Sequence, residues 1–430
     1  MSEICSCGKI HKSSVKSVIA EKGALNKIPD IVRKYNAKKV FVIADANTYK
    51  AAGNRVCNIL KDNEIKYTVF IYENTPFAPD EKAVGNVFMH YDTECELIIG
   101  VGSGVINDAG KILSKVTGRP YIIAATAPSM DGYVSATSSM EMGGLKVSLP
   151  SKCPDVIIGD SEILKNAPIE MLRSGLGDMI AKYISICEWR IAHILIGEYY
   201  CEKIADMIRK AVKKCTDSAQ GLLRRDENAV LAVFEGLVMG GMAMEYAGVS
   251  RPASGVEHYI SHIWDMRGLA FGTNTTLHGI QCAIGTVTAA KIYEQVKSFT
   301  PDREKALKYA EEFNLDIWNK ELFEFVGNGA QSMIDAEKRE GKYDLEKHKK
   351  RLDRIIENWD IILKIIDEEV PKSEKIEEIL ASAGVPASCE EIGIDKKILP
   401  MTFKASKDIR DKYVLSRLCW DLGIIDEIKF

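Results

Sequence analysis

The stretch Glu96-Leu97-Ile98-Ile99-Gly100-Val101-Gly102-Ser103-Gly104-Val105-Ile106-Asn107-Asp108 carries a short apolar run into a glycine-rich corner and then into a helical pattern. An apolar run of that length bounded by glycine reads as a buried strand. Glycines at 100, 102 and 104 let the backbone approach a pyrophosphate, and the start of the following helix offers unsatisfied N–H groups and a favourable dipole. Gly102, Ser103, Gly104, Val105, Ile106 and Asn107 are therefore candidates for a phosphate cradle. The corner departs from the G-x-G-x-x-G fingerprint, because Val105 stands where its third glycine would be, and a plain tight turn is the alternative reading.

Similar β-rich runs lie on either side: Lys39 to Ala44, Tyr67 to Tyr72, Pro120 to Ala124 and Val156 to Ile158. Amphipathic stretches such as Ala51 to Asp62 and Asp80 to Tyr91 separate them, and this alternation predicts parallel βαβ units. After about Asp160 the strand signals nearly vanish and a 3.6-residue periodicity takes over. The expected fold is an α/β dinucleotide-binding domain with a parallel sheet over residues 1–160, then an all-α domain over 161–430. Within the latter, Asp335 to Glu369 is densely charged and reads as a solvated or protruding helix pair, with a plain exposed surface the favoured reading.

With 430 residues, 46% of them apolar, the chain has material for two cores. The formal charge of −4, from 57 basic and 61 acidic residues spread along the chain, gives no footprint for nucleic acid or an acidic membrane. Eleven scattered cysteines, an odd count in a long chain, read as reduced thiols in a cytoplasm. No targeting segment is visible. Ala229 to Val249 is the best membrane candidate, but Glu235, Glu245 and several glycines favour a buried helix. Near the start, Cys5, Cys7 and His11 are soft ligand types placed close together without the two matched pairs of a zinc finger. They read first as a structural strand or turn, with an accessory metal contact as the alternative.

Other residues with chemical potential cluster at strand ends and in the helical half. Asp45 and Asn47 end the first long strand, where an acid or amide binds ribose hydroxyls, although Asn47 equally suits a helix cap. Thr126, Ala127, Pro128 and Ser129 follow a later strand and lead into Asp131 and Ser135, in a loop that is either a ligand site or turn chemistry. Asp178 follows two glycines at an expected helix start and by itself reads as an N-cap. His258 and His262 stand four residues apart on one helical face, and His278 opens another apolar segment. Three of the chain's seven histidines in so short a region, with one separate aspartate, fit a His/carboxylate metal site with open coordination. Structural core histidines are the plainer alternative.

The motifs GSGVINDAGK at 102–111, TAPSMDGYVSA at 126–136, GLGDMIAKY at 175–183, RPASGVEHYISH at 251–262 and LHG at 277–279 occur in this order. Taken together they resemble the bacterial sn-glycerol-1-phosphate dehydrogenases, within the larger iron-containing alcohol dehydrogenase and dehydroquinate synthase superfamily. The resemblance implies NAD(P) on Ser103 to Asn107, Thr126 to Ser129 and Ser135, with Asp45 to Asn47 on the adenosine side. It implies a divalent metal, zinc or nickel, on Asp178, His258 and His278. Asp131 and Asp178 would lie by the substrate, as would His262, a candidate proton relay. The implied reaction reduces dihydroxyacetone phosphate to sn-glycerol 1-phosphate, in a cytoplasmic homodimer. Lys146, Arg251, Lys404 and Arg410 are candidate phosphate partners or ordinary surface charges. Rival readings are a glycerol dehydrogenase acting on an unphosphorylated polyol, a lyase resembling dehydroquinate synthase, and a non-catalytic nucleotide-binding relative.

Overall fold

A computed structural model describes residues 4–73, 75, 77–142 and 145–430. Among these residues eight strands form: β1 (Ser17–Glu21), β2 (Lys39–Asp45), β3 (Lys66–Tyr72), β4 (Leu97–Gly102), β5 (Tyr121–Ala125), β6 (Thr137–Met142), β7 (Leu145–Pro150) and β8 (Val156–Asp160). Six make one parallel sheet in the order β1-β8-β5-β4-β2-β3. Its central strands are buried on both faces, as Val40 to Ile43, Leu97 to Ile99 and Ile122 to Ala124 show. That burial is why they appear as unbroken apolar runs rather than alternating patterns. Each such side chain contributes about 1.5–3 kcal/mol by leaving water.

The order of the strands positions the site. β3 lies on one side of β2 and β4 on the other, so strand addition reverses between β2 and β4. Open α/β sheets bind ligands in the crevice beyond the carboxyl ends of strands at such a reversal. Asp45 ends β2 and Gly102 ends β4. Two elements were not legible in the sequence: the edge strand β1, which pairs only with β8, and the antiparallel hairpin β6–β7.

No strand follows Asp160 among the described residues, and the rest of the chain is helical. Two compact units emerge: Met1–Met179 with Lys213–Gly248, and Ile180–Val212 with Val249–Phe430. In the first, the helix Glu227–Ala247 has the length and hydropathy to cross a bilayer. Its glycines serve close packing, however: a Cβ on Gly241 would stand 2.9 Å from the Asp131 carbonyl oxygen, and one on Gly236 2.8 Å from Cys215 Sγ.

In the second unit a large core gathers Tyr259, Tyr293, Ile365, Phe403 and Trp420. The charged stretch 335–369 does not protrude. Its helices Leu345–Glu357 and Trp359–Glu369 bury Leu352, Ile355, Ile362, Ile365 and Ile366 in that core, with the charges on the outer face. The expected solvated face is present; what charge density hid is the narrow apolar stripe at helical spacing that anchors it.

Candidate active site

The first unit builds a polar corner at the ends of β4 and β5. The helix Gly104–Thr117 starts immediately after Ser103, so its free N–H groups face outward from the end of β4. Ser103 Oγ and Ser129 Oγ are 2.8 Å apart, and Thr126 N donates to Gly102 O, tying the glycine corner to the 126–129 loop. That loop is clamped from two further sides. Tyr133 OH donates to Ala127 O at 2.7 Å and Ser174 Oγ donates to Ser129 O at 2.8 Å. Behind it stands Gly175, where a Cβ would lie 1.9 Å from Pro128 O, so only glycine admits this approach. Tyr133 and Ser174 were not singled out from sequence, since a lone tyrosine or serine carries no motif.

Asn107 Nδ2 donates to Gly132 O while its buried Oδ1 has no hydrogen-bond partner among the described residues. An unmet buried acceptor next to a helix N-terminus suits a ligand with donors, such as a carboxamide or hydroxyl group. Ile106 is buried and packs on Gly102, so it supports the corner from behind, whereas Val105 is half-buried. Ser135 Oγ donates to Thr137 O and accepts from Thr137 N, which makes it a turn residue at the start of the hairpin.

Asp45 is the helix cap after β2. Its Oδ1 accepts from Asn47 N at 2.8 Å and Thr48 N at 2.9 Å, and Thr48 Oγ1 accepts from Asp45 N. Asn47 is therefore not the cap that its sequence position also suggested; its Nδ2 donates to Thr75 Oγ1.

Gly104 has no left-handed backbone, so a substitution there acts through bulk alone: a Cβ would meet Met130 Cε at 2.9 Å. Gly104→Val is expected to weaken NAD(P) binding roughly tenfold or more by pushing Met130 and its own branch into the corner, with metal content unchanged. Fluorescence titration giving wild-type affinity would remove this corner from the cofactor site.

Asp178 is fully buried and third from the end of the helix Ile169–Ile180, not at a helix start. The glycines that suggested a boundary lie inside the helix, where Gly175 packs on Pro128. Asp178 Oδ2 accepts from Asp131 N at 2.9 Å, which brings the two aspartates together. A buried carboxylate near a helix C-terminus suffers both desolvation and the negative end of the dipole.

In the second unit, His258 and His262 project from the helix Val256–Phe271, and His278 begins the helix His278–Val296. The rings of His258 and His278 are 5.1 Å apart between centroids, and those of His262 and His278 are 5.8 Å apart and stacked. His258 Nδ1 is 2.7 Å from Glu257 Oε1, and His278 Nδ1 is 3.0 Å from Ser261 Oγ, which itself donates to Gln281 Oε1. Support at Nδ1 is the arrangement that orients metal-ligating imidazoles, and His278 Nε2 lies 3.6 Å from Cys282 Sγ. Ligand atoms of His258, His278 and Cys282 lie within 4.8 Å of one another. Cys282 was missed, although its place four residues after His278 on one helical face was there to read. Burial pushes its thiol up, but the neighbouring His258 and His278 outweigh this and the net shift is down.

Around these histidines lies a buried carboxyl pair. Glu188 accepts from Val256 N and Leu415 N, and burial together with the charge of Glu257 pushes its pKa up to about 8. Of the candidate phosphate partners, Arg251 is fully buried and engaged in two hydrogen bonds from Nε to Glu198, at 2.7 and 2.9 Å. It is a structural ion pair. Lys404 pairs with Asp426, Arg410 is exposed, and the Lys146 side chain lies outside the described residues.

Residues 19–168 match the family model of iron-containing alcohol dehydrogenases. A glycerol-1-phosphate dehydrogenase (NAD(P)+) of Geobacillus thermodenitrificans (strain NG80-2) is 27% identical over 400 residues, 92% of this chain and 90% of that protein. One of Methanosarcina mazei is 33% identical over 289 residues, covering 65% of this chain and 78% of the relative. The solved glycerol dehydrogenase of Schizosaccharomyces pombe aligns with a TM-score of 0.60 at 18% identity, over 96% of this chain and 90% of that one, and shares the fold. By these matches the chain belongs to the glycerol-1-phosphate dehydrogenases, among the iron-containing alcohol dehydrogenases.

Proposed function

We infer that this chain is an NAD(P)- and metal-dependent dehydrogenase that interconverts dihydroxyacetone phosphate and sn-glycerol 1-phosphate. The observation that carries the reading is the cluster of His258, His278 and Cys282, whose ligand atoms lie within 4.8 Å of one another while both imidazoles are held at Nδ1 by their own partners. Asp178 is the third ligand: a cation at its carboxylate offsets both burial and the helix dipole. Two imidazoles and a carboxylate suit zinc or nickel. The dinucleotide is assigned to the domain within residues 1–160 and the metal and substrate chemistry to 161–430. Asp45, Asn47, Gly102 to Asn107, Thr126 to Ser129 and Ser135 are the cofactor residues.

When bound, the metal polarises the ketone oxygen as a Lewis acid and the nicotinamide supplies hydride. The protein's own part is alignment and proton handling. The Ser103–Ser129 and Tyr133–Ala127 bonds hold the cofactor corner in one geometry, which is how positioning lowers a barrier. Asp131 positions Asp178 through its N–H. His262, one helical turn beyond His258, holds the proton taken by the carbinol oxygen. For the phosphate, Lys412 replaces Arg251 as the candidate. It donates to Ser254 O at 2.8 Å, leaving ammonium donors over, and burial with the charges of Arg251 and Arg410 pushes its pKa down to about 7. A cytoplasmic location and a homodimer complete the proposal.

NADH or NADPH oxidation with dihydroxyacetone phosphate is expected to vanish on chelation and to return with zinc or nickel. Full activity of demonstrably metal-free protein would overturn the metal-dependent reading.

A further inference from the structure

Cys5, Cys7 and His11 meet at one point in the first unit. A tight turn makes this possible: Gly8 N donates to Cys5 O at 2.8 Å and Cys5 N to Lys9 O at 2.9 Å, with Gly8 at φ +82°, where glycine alone is comfortable. One ligand atom from each of the three residues lies within 4.8 Å of the others, and Cys7 Sγ is 3.3 Å from His11 Nε2. A tetrahedral zinc with Zn–S near 2.3 Å and Zn–N near 2.05 Å holds sulfur and nitrogen about 3.5 Å apart. The observed separation is close to what one shared ion imposes.

The histidine is oriented for the task. His11 Nδ1 lies 3.1 Å from Tyr246 O, a partner that can only accept, so Nδ1 carries the proton and Nε2 presents its lone pair towards Cys7. A backbone carbonyl on the far nitrogen is a usual second support of a ligating imidazole. The same segment is fastened to the end of the helix Glu227–Ala247. Lys9 Nζ donates to Ala247 O, and Ser13 Oγ and Ser14 N donate to the Glu245 carboxylate. Tyr246 and Ala247 are among the last carbonyls of that helix, which have no intrahelical partner.

We propose that Cys5, Cys7 and His11 form a second metal site, made of residues other than Asp178, His258 and His278, that takes a soft divalent cation, zinc(II) foremost. Two thiolates and an imidazole select such an ion over magnesium or calcium, and they fill three of its four positions. Bound metal locks the amino-terminal turn onto the helix end.

The test uses the full-length protein loaded with zinc and desalted. Elemental analysis is expected to give two zinc ions per chain, falling to one in Cys5→Ser/Cys7→Ser with ketone reduction retained, and to one in His278→Ala with reduction lost. Cobalt(II) added to a His278→Ala/Cys282→Ala chain is expected to show a thiolate charge-transfer band that disappears when Cys7→Ser is added. A variant-free readout accompanies these: zinc is expected to protect Cys5 and Cys7 from alkylation, read by mass spectrometry of the amino-terminal peptide. Equal alkylation with and without zinc, or two zinc ions persisting in the double cysteine variant, overturns the site. Neither result bears on the catalytic metal, which the His278→Ala count reads separately.

Discussion

His258→Ala and His278→Ala are each expected to lose most of the catalytic metal and to lower kcat/KM on the order of 10²–10³-fold or more, with helical content unchanged. Negative charge develops on the ketone oxygen during hydride transfer, and in the proposed site the imidazole pair holds the cation that would meet it. Neither ring is a packing anchor of the large core around Trp420 and Tyr293. Partners one step out are expected to follow with smaller losses: Glu257→Gln and Ser261→Ala release the Nδ1 atoms, and such supports are worth roughly 10–100-fold in metal affinity. Full metal occupancy in either histidine variant would show that the ligand set is wrong.

Dihydroxyacetone phosphate is expected to be reduced far better than dihydroxyacetone. Hydrogen bonds to a charged group contribute about 1.5–3 kcal/mol each, so two on the phosphate give a preference on the order of 10²–10⁴ in kcat/KM. Part of it should appear in kcat, because binding energy at the remote phosphate orients the carbonyl. Lys412→Met is expected to erode the preference by lowering use of the phosphorylated ketone alone. Arg251→Met is expected to act on stability, since it leaves Glu198 without its guanidinium. A preference for the unphosphorylated ketone would sink the glycerol-phosphate reading and leave a metal-dependent polyol dehydrogenase.

Legibility followed the run of β-branched and aromatic residues, which also revealed the edge strand β3. β2, β4, β5 and β8 were readable because strands covered on both faces are unbroken apolar runs. β1 and the hairpin were not. Ser17 to Glu21 forms a partly exposed edge, and Thr137 to Met142 alternates serine, glutamate and methionine with no apolar run. The histidines were legible as a group from their rarity and spacing. What sequence could not supply was tertiary reason. Gly175 signalled a helix boundary but answers to a carbonyl 47 positions before it, at Pro128 (175 − 128 = 47). Arg251 looked available because Glu198, its partner, lies 53 positions away.

The pairing of β1 has a consequence for how the chain is made. Among the described residues Ser17 finds its strand partner at Val156, 139 positions later (156 − 17). On a ribosome adding about 5–20 residues per second, the first strand waits roughly 7–28 s with its edge unpaired, and the Cys5 to His11 turn waits longer for Tyr246. During that interval Val18 and Ile19 are exposed to other nascent chains. The charged residues flanking them, Lys16, Glu21 and Lys22, are the kind that keep a waiting strand from pairing with a stranger.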